Sequence, residues 1–203
     1  MTKKNKTIIF STIILAAGII AVIVASNIKP QKEIEYMHAS WEYNYEDIKE
    51  ISQASDLIAL VKVNNIEECT IDSGIPFTKF SVNITNSIYN PDNINDFIIN
   101  MTGGETEDKI IEIEDDPLLE TGDEFLAFCK KSEDGIYYIL SGSQGRLIYS
   151  NGKLNSLNAI DKRIAEANQF SNITVKNADA EKTINEIREY VANKNTDKVD
   201  LKQ

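Results

Sequence analysis

The stretch FTKFSVNITNSIY, residues 77–89, alternates between apolar and polar side chains along most of its length. Phe80, Val82 and Ile84 fall on one face of such a strand, and polar residues fall on the other. This period of two is typical of a β-strand that packs one face on a core and leaves the other in water. The predicted polar face consists of Lys79, Ser81, Asn83 and Thr85.

Other short strand signals surround this stretch. The segment DLIALVKVNNIEE, residues 56–68, is apolar on both faces at its start, as is typical of a central strand. Turn signals separate the later segments, and Asn151-Gly152 is the strongest of them. The further predicted strands are FIINM (97–101), IIEIE (110–114), EFLAFCKK (124–131), GIYYILS (135–141), GRLIYS (145–150) and KLNSL (153–157). Strands of this length and spacing predict a mainly β fold, either a sandwich or a small closed barrel.

Two segments have the spacing of helices. NYEDIKEISQASD, residues 44–56, predicts a short N-terminal helix that Asn44 could cap. Residues 179–194 predict a C-terminal amphipathic helix, because apolar side chains recur there every three or four positions. Asp179 or Asn177 could cap this second helix.

An uncharged apolar run, residues 8–26, precedes all of these elements. As a helix it would span roughly 28 Å, close to the thickness of a bilayer's hydrocarbon core. Three lysines stand just before it, so the positive-inside rule predicts that residues 1–7 are a cytoplasmic leader. We therefore expect a single-pass cell-membrane protein whose domain is extracellular. Its membrane partner is the lipid around residues 8–26.

The alternative is a cleaved signal peptide, which would make the protein secreted. Val24-Ala25-Ser26 is a small-residue sequence compatible with cleavage, although the run is longer than the apolar core of most signal peptides. After the run, residues 27–42 read as a stalk and residues 43–158 as a β-barrel domain with an N-terminal helix. Residues 159–203 form a C-terminal segment.

The net charge of the 203-residue chain is −11. A nucleic-acid partner is not expected, because phosphate binding requires clustered cations. The two cysteines, Cys69 and Cys129, could form a disulfide in an oxidising exterior, or could be two separate buried thiols. Neither a CxxC zinc site nor a thioredoxin-type redox motif is present in the sequence.

The order of the elements resembles that of a family of small exported, membrane-linked proteins of Gram-positive bacteria. The resemblance runs from about Tyr45 to Leu157 through YEDIKEISQASDLIALVKV, IINMTGGE and LLETGDEFLAFCKK. The residues that carry it are Ser55, Asp56, Gly103, Gly104, Gly122, Asp123, Gln144 and Gly145. That family has no assigned activity, so the resemblance implies none for this chain. The layout is more distantly similar to the netrin-like domains of metalloproteinase inhibitors, which implies a small OB-like closed barrel flanked by helices.

The resemblance to those inhibitors does not extend to their chemistry. They chelate the zinc of a protease with a free N-terminal cysteine, and this chain lacks such a cysteine. The single histidine, His38, lies in the predicted stalk, so a histidine-dependent hydrolase is not expected. Carboxylates cluster in the loop of residues 105–124, where a bound calcium ion or a metal-dependent hydrolase is the alternative to a solvated loop.

These observations favour an extracytoplasmic binding module without catalytic activity or cofactor. Its partner would be an unknown extracytoplasmic protein or ligand. The candidates for contact are the polar face defined above, together with Gly103, Gly104 and Glu105. A secreted inhibitor or immunity-type protein is the second hypothesis, and the hydrolase is the third.

Overall fold

The computed structural model describes residues 32–167, 171–192 and 194. The chain divides into two units, Met1–Glu33 and Ile34–Gln203, and every described residue except Lys32 and Glu33 belongs to the second. Within the described part of the chain, no helix is long and apolar enough to cross a membrane. The predicted leader and anchor, residues 1–7 and 8–26, lie outside the described residues.

The described strands are β1 (Glu33–Met37), β2 (Leu57–Asp72), β3 (Ile75–Tyr89), β4 (Asp96–Thr102), β5 (Gly104–Glu105), β6 (Lys109–Ile113), β7 (Glu124–Lys131), β8 (Tyr137–Ile139), β9 (Arg146–Ser150), β10 (Lys153–Ser156) and β11 (Ala178–Asp179). The described helices are α1 (Ile48–Ala54), α2 (Leu157–Ile160), α3 (Lys162–Ala167) and α4 (Ala180–Ala192). A single 3₁₀ turn, Gly142–Gly145, precedes β9. The fold is therefore mainly β with a few helices, as predicted.

Five strands close into a barrel. Strand β2 pairs with β3 on one side and with β7 on the other, and β3 continues the sheet to β4. The short strand β8 completes the ring, because it pairs in parallel with β4 and antiparallel with β7. Of the two architectures that the strand pattern allowed, the closed barrel is therefore the one that forms.

The start of β2 is apolar on both faces because each face belongs to a different core. Leu57, Ala59 and Val61 point into the barrel, where they pack with Phe80 and other buried residues. The intervening Ile58 and its neighbour Leu60 point outward into a second core. Successive side chains of a strand point to opposite faces, so a doubly apolar segment can support both cores at once.

The second core lies between the outside of the barrel and the helices. Ile51 of α1 and Ile184, Ile187 and Val191 of α4 are buried there. The apolar stripe predicted for the C-terminal helix is thus its buried face. Fully burying one such side chain contributes about 1.5–3 kcal/mol, so a few of them suffice to dock a helix.

The helix caps agree with the prediction in one case and differ in the other. Asp179 caps α4, where its carboxylate accepts a hydrogen bond from the Lys182 amide at 3.1 Å. The cap predicted for α1, Asn44, is wrong, because the N-cap is Asp47. Asp47 has an extended backbone and its side chain accepts from the Glu50 amide at 2.8 Å. The helix therefore begins later than its sequence pattern indicated.

Some predicted strands lie outside the barrel. Strands β9 and β10, joined at Asn151-Gly152, extend the barrel sheet next to β7 and are followed by β11. Both residues of this turn have a positive φ, as a tight hairpin requires. The strand predicted at 110–114 corresponds to β6, which forms a separate sheet with β1 and β5. Strand β1 falls within residues 27–42, so part of the predicted stalk is structured.

Candidate functional site

The β2–β3 hairpin continues beyond the end of its pairing with β7. Strand β7 pairs with β2 only from Leu57 to Lys62, and Val63 then exchanges backbone hydrogen bonds with Gly122 and Asp123 at 2.9 Å each. From Asn65 onward β2 pairs with β3 alone. We call the part of the hairpin from residue 65 to residue 81 the arm.

The arm ends in a tight turn and has an uneven covering. Ser73 and Gly74 have φ values of 51° and 84°, which match the two central positions of a hairpin turn of type I′. On β3, residues 76–81 are buried or half-buried, and β4 pairs with that strand from Phe77 to Asn83. On β2, every residue from 65 to 72 is exposed. The β2 edge is therefore the open side of the arm.

Apolar side chains remain exposed along this open side. Ile66 is 56% exposed and Ile71 is 60% exposed, whereas their register partners on β3, Phe80 and Pro76, are buried. Register partners share one face of a sheet, so the row that fills the barrel continues into the arm and becomes uncovered on β2. Ile75, at the tip, is 37% exposed.

Charge on the open side is predominantly negative. Glu67, Glu68 and Asp72 are exposed residues of β2 in the arm. Only Glu68 has a lysine beside it in the arm, since Lys79 Nζ lies 3.1 Å from its Oε2. The arm thus combines exposed isoleucines with an excess of carboxylates.

The residues predicted to bind a ligand lie on two opposite faces of the sheet that β2 and β3 form. Lys79, Ser81 and Asn83 alternate with the buried residues of β3, so they share its outer face. Their polar groups contact neighbours: Lys79 contacts Glu68, and Asn83 Oδ1 accepts from Asn64 Nδ2 at 2.8 Å. Thr85 Oγ1 donates to the Leu60 carbonyl at 3.2 Å.

Gly103, Gly104 and Glu105 lie against the other face. The Gly103 carbonyl accepts from Thr78 Oγ1 at 2.7 Å, and a Cβ added to Gly104 would collide with the sulfur of Cys69. The carbonyl oxygen of Glu105 is 3.6 Å from the same sulfur. The glycine pair therefore permits close packing on the arm, and the structure does not bring the two predicted sets together.

The two thiols are free in the structure. Cys129 is fully buried in the barrel, and burial raises the pKa of its thiol. It pairs with Leu57 at the start of β2, whereas Cys69 is exposed near the far end of the same strand. The disulfide offered as one alternative is thus not formed here, and of the two predicted buried thiols only Cys129 is buried.

The acidic loop, residues 105–124, does not gather its carboxylates. Among the described residues, no three histidine, cysteine, aspartate or glutamate side chains are placed to hold a metal ion. Asp115 and Asp116 are buried, whereas Glu105, Glu107 and Asp108 are exposed. His38, in contact with Glu114 at 2.6 Å, has a side chain that is 90% exposed. The geometry therefore gives the hydrolase hypothesis no support.

A buried ion pair was not anticipated from the sequence. Arg146, at the start of β9, is 2% exposed, and its Nη2 lies 2.8 Å from Asp116 Oδ1 and 2.8 Å from the Pro117 carbonyl. Burial raises the pKa of Asp116 to about 6, partly opposed by Arg146 and reinforced by Asp115. The sequence signal that could have indicated this buried pair is an arginine at the start of an otherwise apolar strand.

A cleft of about 440 Å³ lies beside this ion pair. Its wall includes Trp41, Asp115 and Gln144. Trp41 Nε1 donates to Asp115 Oδ2 at 3.1 Å, and Gln144 accepts from the Tyr45 amide at 3.0 Å. A Cβ at Gly142 would collide with the Trp41 ring. These contacts fasten residues 41–45 to the 3₁₀ turn, so the polar groups of the wall have structural partners.

Comparison of the chain with models of protein families and with curated proteins gave no match.

Proposed function

We propose that this chain is an extracytoplasmic binding module, held at the cell membrane by residues 8–26, and that the arm is its contact surface. The observation that carries the proposal is the exposure of Ile66 and Ile71, whose own register partners on β3 are both buried. Exposed apolar side chains beside an open strand edge are characteristic of surfaces that another chain covers.

The barrel supports this proposal through its topology. We infer that it is OB-like, because five strands close in the order β2–β3–β4–β8–β7 and the arm connects the first two of them. Barrels of that class bind ligands along one sheet face and the adjoining loops. We also propose that the chain is related to the exported, membrane-linked family of Gram-positive bacteria that its sequence resembles.

The alternative is a secreted inhibitor or immunity-type protein that would use the same arm after cleavage near Ser26. The intact mass of the protein expressed in a Gram-positive host distinguishes the two. A mass that includes residue 1, found in the membrane fraction, supports the anchored module. A mass that begins near Asn27, found in the medium, contradicts the anchor and supports the diffusible protein.

The contact surface is tested by site-specific photocrosslinking on intact cells of that host. A photoreactive amino acid replaces Thr70 on the arm, and in a matched control it replaces Glu189, which is exposed on α4. We expect a discrete crosslinked product from position 70 only, lost when Ile66 and Ile71 are changed to asparagine. Changing Ile160 to asparagine is the control, because it is 55% exposed and outside the arm. Equal products from both positions would contradict the proposal.

A further inference from the structure

We propose that the open edge of β2 in the arm binds an extended, lysine- or arginine-rich segment of a partner protein as an added strand. This inference rests on the proposed binding function and specifies the chemistry of the partner. Three features of the arm carry it: an unpaired backbone edge, a half-covered apolar row and an acidic surface.

The backbone edge is the first feature. Residues 65–72 of β2 pair with β3 on one side, and no other described strand pairs with them. A strand has hydrogen-bonding groups along both edges, so the outer groups of this segment are available to an incoming strand. The register with β3 shifts at Val63/Asn65 and at Ile66/Glu68 but is regular from Glu68 to Asp72. This regular stretch is where an added strand can pair without interruption.

The apolar row is the second feature. Ile66 and Ile71 are exposed although Phe80 and Pro76, beside them on β3, are buried. A strand added at the β2 edge would place its alternate side chains next to these isoleucines and extend the covered row by one strand. Edge pairing and burial of the isoleucines would therefore occur together.

The acidic surface of the arm is the third feature, and it indicates the charge of the partner segment. Glu67, Glu68 and Asp72 stand on the edge strand, and Lys79 compensates only Glu68. A second copy of this chain paired through the same segment would bring these carboxylates against their counterparts, and like charges across strands are destabilising. A cationic segment would instead place opposite charges there. The same charges thus oppose self-association and favour a basic partner.

The binding test uses the full-length chain in detergent micelles and a fluorescently labelled, amidated peptide of alternating lysine and valine. Fluorescence anisotropy reports its affinity. We expect binding to weaken at least tenfold when the peptide is N-methylated at alternate residues, because those amides can no longer donate to the edge. We also expect at least a tenfold loss for the protein variant Glu67→Lys/Asp72→Lys, with unfolding midpoints measured to show that it remains folded.

A matched control variant and a second measurement separate strand addition from simple charge attraction. The variant Glu181→Lys/Glu189→Lys changes the same number of exposed carboxylates on α4 and should bind the peptide normally. Hydrogen exchange should slow in residues 65–72 when the peptide binds. An N-methylated peptide that binds equally well, or equal losses from both protein variants, would overturn the inference.

The outcomes also distinguish this inference from the proposed function. A specific crosslink from position 70 without peptide binding would overturn the basic strand and leave the binding module in place. Absence of both would overturn both. A concentration-dependent dimer in analytical ultracentrifugation, lost in Ile71→Asn, would make a second copy the occupant and overturn the cationic partner.

Discussion

At the residue scale, the most consequential contact is the pair formed by Arg146 and Asp116. Both side chains are buried, and Nε of Arg146 has no hydrogen-bond partner among the described residues. Two charges removed from water depend on each other, because the loss of one leaves the other buried without compensation. This dependence makes the pair a sensitive point for stability.

We expect Arg146→Met to lower the free energy of unfolding by about 3–5 kcal/mol, because it leaves the Asp116 carboxylate uncompensated at neutral pH. Urea unfolding of the full chain in detergent, followed by circular dichroism, measures the change. The double variant Arg146→Met/Asp116→Leu should recover part of the loss, since it removes the second charge as well. A single variant as stable as the original protein would contradict the interdependence of the two charges.

The pH dependence of the same pair has a definite sign. The pKa of Asp116 is about 6 in the folded state against an ordinary value of 3.8, because burial opposes its ionisation. The folded state therefore binds more protons than the unfolded state between these values, and stability from this group falls as pH rises through 6. The effect amounts to about 2 kcal/mol between pH 4 and pH 7.

The measurement compares the original protein with Asp116→Asn, which does not titrate. Their unfolding free energies at pH 4 and pH 7 are subtracted, so that the contributions of the other carboxylates cancel. We expect the original protein to lose stability relative to the variant as pH rises. A relative gain would show that attraction to Arg146 outweighs burial.

At the element scale, α4 depends on its contact with the outside of the barrel. Ile187 of this helix is fully buried in the second core. We expect Ile187→Ala to cost about 2–5 kcal/mol of unfolding free energy, through lost burial and the cavity left behind. Ile160→Ala is the control, because its side chain is 55% exposed and should change stability by less than about 0.5 kcal/mol. Comparable losses in both variants would contradict the docking of α4 through Ile187.

At the scale of the whole molecule, the barrel and the open edge of the arm should differ in local stability. Residues 57–62 lie between two paired strands and are mostly buried, whereas residues 65–72 are exposed and paired on one side. We expect amide hydrogen exchange to be slow in the first segment and much faster in the second, because paired and buried amides open rarely. Peptide-level mass spectrometry measures both. Equal protection would contradict an open edge.

The strand pattern predicted the barrel because local alternation reports which face of a strand is buried. Phe80 and Val82 are core residues as their spacing indicated, and the turn at Asn151-Gly152 forms where its sequence favours positive φ. The pattern could not separate barrel strands from those beside the barrel. Alternation at Ile111 and Ile113 is satisfied equally well by the small sheet that β6 forms.

Less of the candidate site than of the fold could be predicted from the sequence. The polar face of Lys79, Ser81 and Asn83 could be placed on one strand face, but its local partners and its separation from the Gly103-Gly104 pair depend on neighbouring strands. The pairing of Arg146 with Asp116 joins two segments that are distant in the chain. Neither residue type nor spacing encodes such a contact.

Local chemistry determined the elements of this protein: alternating residues made strands, Asp and Gly residues set caps and turns, and the excess of carboxylates made the surface acidic. These properties depend on residues a few positions apart, so the amino-acid sequence alone determines them. The closure of the barrel decided which side chains of these strands are buried and which are exposed. Val61, where β7 still pairs with β2, is buried in the barrel, whereas Ile66, beyond the end of that pairing, is exposed, although both side chains lie on the barrel-facing side of β2. Burial is a property of what packs against a side chain, and only the tertiary structure supplies that neighbour.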